Sequence, residues 1–339
     1  MSARVRDAVR ALVSPGSLTV LGALALALAG TVLAGPFILI DSLVTGGMWA
    51  LVAAGLALVF GVMNIPNFAQ GEFFMAGTLS GYLVFTAVKT AVKGGGAVGW
   101  AAPIVSILAA TAVGGLIGAA VDWGIFAPLR RRIREQWVMN TFVVTVGLSV
   151  IFINLHQLIW GPDYKGIFRY WDLPPVHILG VPIGFDRFMS FVVGVLAIAG
   201  LWALLRFSRA GMAIRAVSQD EAGALMVGID IARVHRLTFA LSSGVAALAG
   251  ASLLFMFPSY PFVGLKPLYV AWTVVILAGL GDVGGAIVSG FIVALFETVT
   301  SYFIGTAWED VLPFALILLV LLLRPAGLFG RGVRGVWEQ

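Results

Sequence analysis

The residues NIPNFAQGEFF, Asn64 to Phe74, place a proline, two asparagines, a glutamine, a glycine and a glutamate between two apolar runs. Amides, one carboxylate and free backbone ends suit the handling of a polar solute more than the making or breaking of bonds. A charge at bilayer depth costs about 2.5–3.5 kcal/mol on insertion scales, so Glu72 reads as functional. Pro66 lacks a backbone donor and drives Ile65 out of helical geometry. Asn67 is a favourable N-cap, and Gln70 is placed to reach back to it as in a capping box. The pattern predicts a helix ending near Met63 and a second starting at Asn67, and broken helices with polar ends form solute sites in lipid. Two readings of Glu72 stand. Either the helix start faces the path and binds or passes a carboxylate-bearing solute, or Pro66 marks a cytoplasmic helix end and Glu72, in the first turn, complements the dipole. The run from Leu43 to Met63 has about twenty residues, enough for a full crossing.

A second break follows the same pattern. LAGLGDVGGAIVSG, Leu277 to Gly290, is glycine-rich with one acid, Asp282, between two apolar runs. Paired interruptions in the two halves of a chain point to a transport site. Glu297 falls well inside the next apolar segment, where an acid must be paired, protonated or turned to a polar cavity.

A third stretch offers contact rather than solute binding. In GMAIRAVSQDEAGALMVGID, Gly211 to Asp230, Ser218 and Glu221 have capping-box spacing, and Gly228 suits the C′ position. A short helix from Gln219 to Val227 is expected. Asp220 and Glu221 favour its positive end, and Ala222, Leu225, Met226 and Ile229 supply apolar surface. Such a helix suits insertion into a partner's groove; lying among lipid headgroups is the alternative.

Other chemistries find no footing. None of the four lysines follows a glycine, so there is no P-loop. His156, His177 and His235 show no ligand spacing. No nucleophile and base occur in a hydrolase pattern, and zero cysteines exclude disulfides and thiolate sites. The charge of +5 suggests no nucleic-acid partner, because the basic residues flank apolar spans. A stand-alone channel is the second functional class, since filters are also built from broken helices.

The elements that hold these residues are membrane helices. Of 339 residues, 60% are hydrophobic and 11% charged, with a mean hydropathy of +1.02. Soluble domains carry about 25% charged residues. The 42 glycines allow close helix approach. Spans are expected near 18–40, 43–63, 68–88, 103–121, 138–159, 188–205, 237–257, 268–280, 285–304 and 311–323, the eighth and last being short. The reading is an all-α polytopic bundle of eight to ten spans, one domain over 1–339, with a retained first helix and no cleaved signal peptide.

With the N-terminal segment 1–17 inside, fifteen of the 21 Lys and Arg residues fall on the cytoplasmic side. They are Arg4, Arg6, Arg10, Arg130 to Arg132, Arg134, Arg206, Arg209, Arg215, Arg233, Arg236, Arg324, Arg331 and Arg334. Lys89, Lys93, Lys165, Arg169, Arg187 and Lys266 remain outside. Both termini and the 206–236 loop are then cytoplasmic. The connection 160–187 is external, either an aromatic-rich interfacial loop or a docking surface for a soluble partner.

Several stretches resemble the inner-membrane permeases of branched-chain amino acid ABC transporters, nearest the H-type subunit. They are ALVAAGLALVFGVMNIPNFAQGEFFMAG, RAVSQDEAGALMVGIDIARVHRLTFALSSGVAALAG, GLGDVGGAIVSG and TSYFIGTAWEDVLPFALILLVLLLRPAGLFG. The resemblance implies a non-enzymatic permease of a bacterial inner membrane. It would be supplied by a periplasmic binding protein, paired with a second homologous permease and driven by separate ATPase subunits. No cofactor is implied for this chain, because ATP is bound by those partners. Asn64, Asn67, Gly71 and Glu72 match the family's first polar break, Gly279, Gly281 and Gly284 its second, and Glu297 a glutamate in the following helix. Arg215, Ser218, Gln219, Asp220, Glu221, Leu225, Met226 and Gly228 would match the ATPase-coupling segment. Gln70 stands where the family commonly has histidine, and Asp282 where a small polar residue is frequent. Both departures lie near the path, so urea, short amides and small organic or aromatic acids are the alternative cargoes.

Overall fold

The computed structural model describes residues 15–91, 97–132 and 137–330. Arg4, Arg6, Arg10, Lys93, Arg134, Arg331 and Arg334, and with them most of the 1–17 segment, lie outside the described residues. In order come α1 (Pro15–Ala34), α2 (Phe37–Met63), α3 (Gln70–Ala91), α4 (Ala97–Val121) and, after a π-turn at Asp122–Phe126, α5 (Ala127–Arg132). Then follow α6 (Trp137–Trp160), a hairpin β1 (Val176–Ile178) and β2 (Val181–Ile183), α7 (Phe185–Phe207), α8 (Arg209–Gln219) and α9 (Glu221–Met226). α10 (Ile231–Ser252), α11 (Leu265–Ala278), α12 (Val283–Phe303) and α13 (Val311–Leu323) complete the bundle.

The all-α expectation holds. Among the described residues, 7 helices are long and apolar enough to cross a membrane. α1 and α10 also have spanning length, with 20 and 22 residues. α11 has 14 residues, a rise of about 21 Å, and cannot cross alone.

α2 lies at the centre. Every residue from Gly46 to Val59 is buried, which a helix tolerates when it is apolar all round and enclosed by others. Its neighbours are α12, α10, α11 and α7. α10 packs chiefly on α4 and α3 through small residues such as Ala246, Ala247, Gly250 and Ala251, the means by which helices approach closely without a hydrophobic drive.

Two boundaries differ from the sequence reading. The first and second spans were expected to part near 40–43. They part at Gly35 and Pro36, with Gly35 at φ +74°, and Asp41 and Ser42 lie inside α2. The helix continues because Asp41 is paired with Arg187 at 2.6 Å and the Ser42 hydroxyl donates to the Ile38 carbonyl. The span expected at 103–121 runs on through the π-turn to Arg132, and Arg130 ion-pairs with Asp122 across that turn at 2.8 Å.

The 160–187 connection is anchored rather than free. Tyr170 Oη donates to Ala251 O (2.6 Å), and Asp186 Oδ1 accepts from the Tyr170 and Trp171 amides (3.1 Å each). Burial pushes the Tyr170 phenol above its usual range. Tyr164, Phe168 and Leu179 stay exposed.

Candidate functional site

The first break is closed by its own side chains. α2 ends at Met63, as the proline predicts, and Asn64 takes the left-handed conformation (φ 52°). Asn64 is exposed. Asn67 and Gln70 are buried. α3 starts at Gln70, three residues later than expected, because Asn67 Oδ1 accepts from Ala69 N (3.1 Å) in a preceding turn. The expected pairing survives in altered form: Asn67 Nδ2 donates to Gln70 Oε1 at 3.0 Å. Gln70 Nε2 in turn donates to Ser242 O (3.4 Å), and the Ser242 hydroxyl donates to Gly55 O (2.6 Å). These bonds pin α3 to α10 and α2 about two turns before α2 ends. The chain therefore leaves α2, turns back inward and starts α3 deeper in the bundle. α2 is long enough for a full crossing at 27 residues, and the start of α3 is buried.

α6 holds the outer flank of this re-entrant turn. Thr145 Oγ1 accepts from Phe68 N and contacts Pro66 O, each at 3.2 Å. Ser149, one turn on, donates to Glu72 Oε1 at 2.5 Å. Glu72 is 2% exposed and occupies the first turn of α3, where an acid complements the helix dipole. Gly71 meets Gly264, the residue before α11; a Cβ on Gly71 would lie 2.5 Å from Gly264 O. Thr145, Ser149 and Ser242 are site residues that sequence reasoning passed over. They read as packing serines and threonines, and nothing local marks their remote partners.

The second break lies against the end of α2. A Cβ on Gly61 would sit 2.5 Å from Gly281 O, and Gly279 and Gly281 have φ of 105° and 89°. Asp282 is exposed and is the N-cap of α12, its Oδ1 accepting from Gly285 N at 2.8 Å. The C-terminal LRPAGLFG segment docks here: the Leu328 and Phe329 amides donate to the Leu277 and Ala278 carbonyls, each at 2.8 Å. This satisfies the orphan carbonyls at the end of α11.

Glu297 is elsewhere. It lies fourteen residues along α12, about 21 Å from the break, and accepts from Trp49 Nε1 at 2.6 Å. Beyond it, Lys266 pairs with Glu309, and Tyr269 Oη donates to Asp310 Oδ2 at 3.0 Å. The expected path residues thus form two groups at opposite ends of α12. A half-exposed aromatic row runs between them: Trp272 of α11 stacks on Phe68 (5.2 Å) and meets Phe60 of α2 (6.4 Å).

The contact loop departs from the expected helix of Gln219 to Val227. Gln219 closes α8, and the short helix is α9, Glu221–Met226, with Asp220 rather than Ser218 at its N-cap. The Ser218 hydroxyl donates to Arg215 O (2.9 Å) because α8 continues through it. Burial of Ile214 and Val217 favours that continuation. Gly228 fills the expected C′ role (φ 82°), with Gly228 N bonded to Leu225 O and Ile229 N to Ala224 O, a Schellman closure. Ala224 faces inward, while Leu225, Met226 and Val227 are 64%, 89% and 77% exposed.

α8 connects this loop to the second break. A cleft of about 610 Å³ is lined by Gly61 and Val62 of α2, Trp202 and Arg206 of α7, Arg215 and Ser218 of α8, and Gly281, Asp282 and Gly284. Residues assigned separately to path and coupling therefore share one cavity.

A bundle of apolar helices with two breaks and a rigid projecting helix is the build of a membrane transport subunit. Residues 38–321 match the family described as branched-chain amino acid transport system, permease component. The chain is 31% identical over 292 residues to the high-affinity branched-chain amino acid transport system permease protein LivH of Escherichia coli K12, covering 84% of this chain and 92% of that protein. It is 29% identical over 300 residues to the permease protein BraD of Pseudomonas aeruginosa (86% and 95%). A probable permease protein LivM of Methanocaldococcus jannaschii is 24% identical over 326 residues (83% and 90%). The chain belongs to the family of branched-chain amino acid transport permease components, and it is a multi-pass membrane protein.

Proposed function

We propose that this chain is one transmembrane subunit of a bacterial inner-membrane ABC importer for branched-chain or related small amino acids. A periplasmic binding protein delivers the cargo, two separate ATPase subunits drive the cycle, and a second homologous permease completes the pore. Both termini and the α8–α9 loop face the cytoplasm. The observation that carries the reading is the exposed Leu225–Met226–Val227 tip, held on α9 by a Schellman closure and joined through α8 to the second break. An exposed apolar tip beside Asp220 and Glu221 suits a groove on a soluble partner.

The two breaks form the cytoplasmic gate, with Asn64, Asn67, Gln70, Gly71 and Glu72 on one side and Gly279, Gly281, Asp282 and Gly284 on the other. Cargo passes along the aromatic row of α11 after leaving the polar groups around Glu297. Motion of the ATPases reaches the gate through Arg215 and Ser218 of α8. Exposed Phe168 and Leu179 on the anchored outer loop supply contact for the binding protein. Affinity purification of the tagged chain tests the assembly: ATPase and second permease should co-purify, and the isolated binding protein should bind leucine, isoleucine or valine in a thermal-shift screen that also contains urea, short amides and aromatic acids. Recovery of the chain alone as an active conductor would replace the importer reading with a channel.

A further inference from the structure

The cleft of about 610 Å³ between α7, α8 and the start of α12 carries a charge pattern that extends beyond the gate residue Asp282. Arg206 and Arg215 stand on one side and Asp282 on the other, yet among the described residues no ion pair joins either arginine to Asp282. Arg215 Nη2 donates to the Arg206 backbone carbonyl (3.3 Å), which ties the Arg215 side chain to the end of α7. Asp282 spends Oδ1 on the Gly285 amide, leaving Oδ2 for a second donor. The Arg206 guanidinium lies 5.8 Å over the exposed Trp202 ring, an arrangement that marks a membrane–water interface.

The remaining wall is apolar and elongated. Ile198, Leu201, Trp202 and Leu205 line it at i, i+3, i+4 and i+7 on α7, opposite Leu58, Val62 and Ile287. They extend about 10 Å from the charged end into the bundle, a depth that suits an alkyl chain rather than the short side chain of an amino acid. Trp202 is exposed at the mouth whereas Leu201 is buried, so the apolar wall runs inward from an open rim. Basic pockets between transmembrane helices at the cytoplasmic side hold phospholipid head groups; here an acid is built into the same pocket.

We propose that this cleft binds a phospholipid whose head group carries a primary ammonium. Its phosphate sits on Arg206 and Arg215, its ammonium on Asp282, and one acyl chain lies along Ile198, Leu201 and Leu205. Lipid held there wedges α8 against the second break and stiffens the connection between the contact loop and the gate.

The test is native mass spectrometry of the full chain, with any co-purifying subunits, after addition of phosphatidylethanolamine, phosphatidylglycerol or phosphatidylcholine of matched chains. Phosphatidylethanolamine should be retained about tenfold over phosphatidylcholine, which has no ammonium proton to donate. Asp282→Asn keeps the helix cap and should erase that preference. Neutralising Arg206 and Arg215 by glutamine should lower retention of all three lipids, by about fivefold for each arginine. Ile198→Trp fills the groove and should displace every lipid while the charged rim stays intact. Equal retention of phosphatidylethanolamine and phosphatidylcholine, or retention insensitive to these substitutions, would overturn the proposal. Saturable binding of radiolabelled leucine at this rim, lost in Asp282→Asn, would overturn it too by making the cleft a cargo site.

Discussion

Arg215 of α8 and Asp282, the N-cap of α12, face one cleft although they belong to segments far apart in sequence. A push on α9 therefore has a short route to the second break. It passes through α8, whose Ile214 and Val217 are buried in the bundle, and arrives where Gly281 rests on Gly61. α8 packs on α9 and on α2, the helix that carries Gly61, so few intermediates are needed.

Charge reversal or an acid at the α9 tip should break this route at its start. Glu221→Arg and Met226→Asp each change an exposed side chain, so insertion and thermal stability should stay near wild type. ATPase association should fall by about tenfold or more, as at a buried interface anchor, and uptake should fall with it. Wild-type uptake in both variants would remove the docking assignment.

The contact of Gly61 with Gly281 leaves no room for a side chain. Gly61→Val would place carbon where Gly281 O already lies, and overpacking of this kind costs about 1–3 kcal/mol. Gly281→Ala adds strain, because φ is 89°. Both variants should lower the thermal midpoint in detergent and slow uptake. An unchanged midpoint would mean that the two breaks do not meet this closely.

Glu72 and Ser149 can be separated by a pair of substitutions. Ser149→Ala leaves a buried carboxyl without its 2.5 Å donor and should cost about 1–3 kcal/mol of stability. Glu72→Ala should slow uptake more than Ser149→Ala does when rates are normalised to folded protein. Equal, small losses would reduce Glu72 to a tether between α3 and α6.

The 160–187 connection should weaken at alkaline pH. Burial raises the Tyr170 phenol above its usual range, so its contribution is complete below about pH 10, the ordinary tyrosine value, and is lost as pH climbs toward the folded value. Tyr170→Phe forfeits the bond to Ala251 O, about 1 kcal/mol, but should show a shallower alkaline loss than wild type. Parallel alkaline melting curves would contradict this placement.

Much of the fold is legible from local signals. Pro66 ends α2 where expected, Gly228 closes α9, and the apolar run 311–323 coincides with α13. What escapes is set by partners distant in sequence. Asp41 looks like a span boundary until Arg187 is found beside it. Ser218 looks like a cap because the burial of Ile214 and Val217, which extends α8 past it, is a tertiary fact. The polar stretch at Asn64–Glu72 announces a break, yet its closure by Thr145, Ser149 and Ser242 depends on α6 and α10. Asp282 shows the reverse: a residue flagged for the path caps a helix and borders the cleft beside α8.

The most direct test is accumulation of radiolabelled leucine in proteoliposomes, measured for the chain alone and for the chain with its ATPases, second permease and binding protein. ATP-dependent accumulation by the complete set and none by the chain alone is the predicted result. Accumulation or steady conduction by the chain alone would contradict the account.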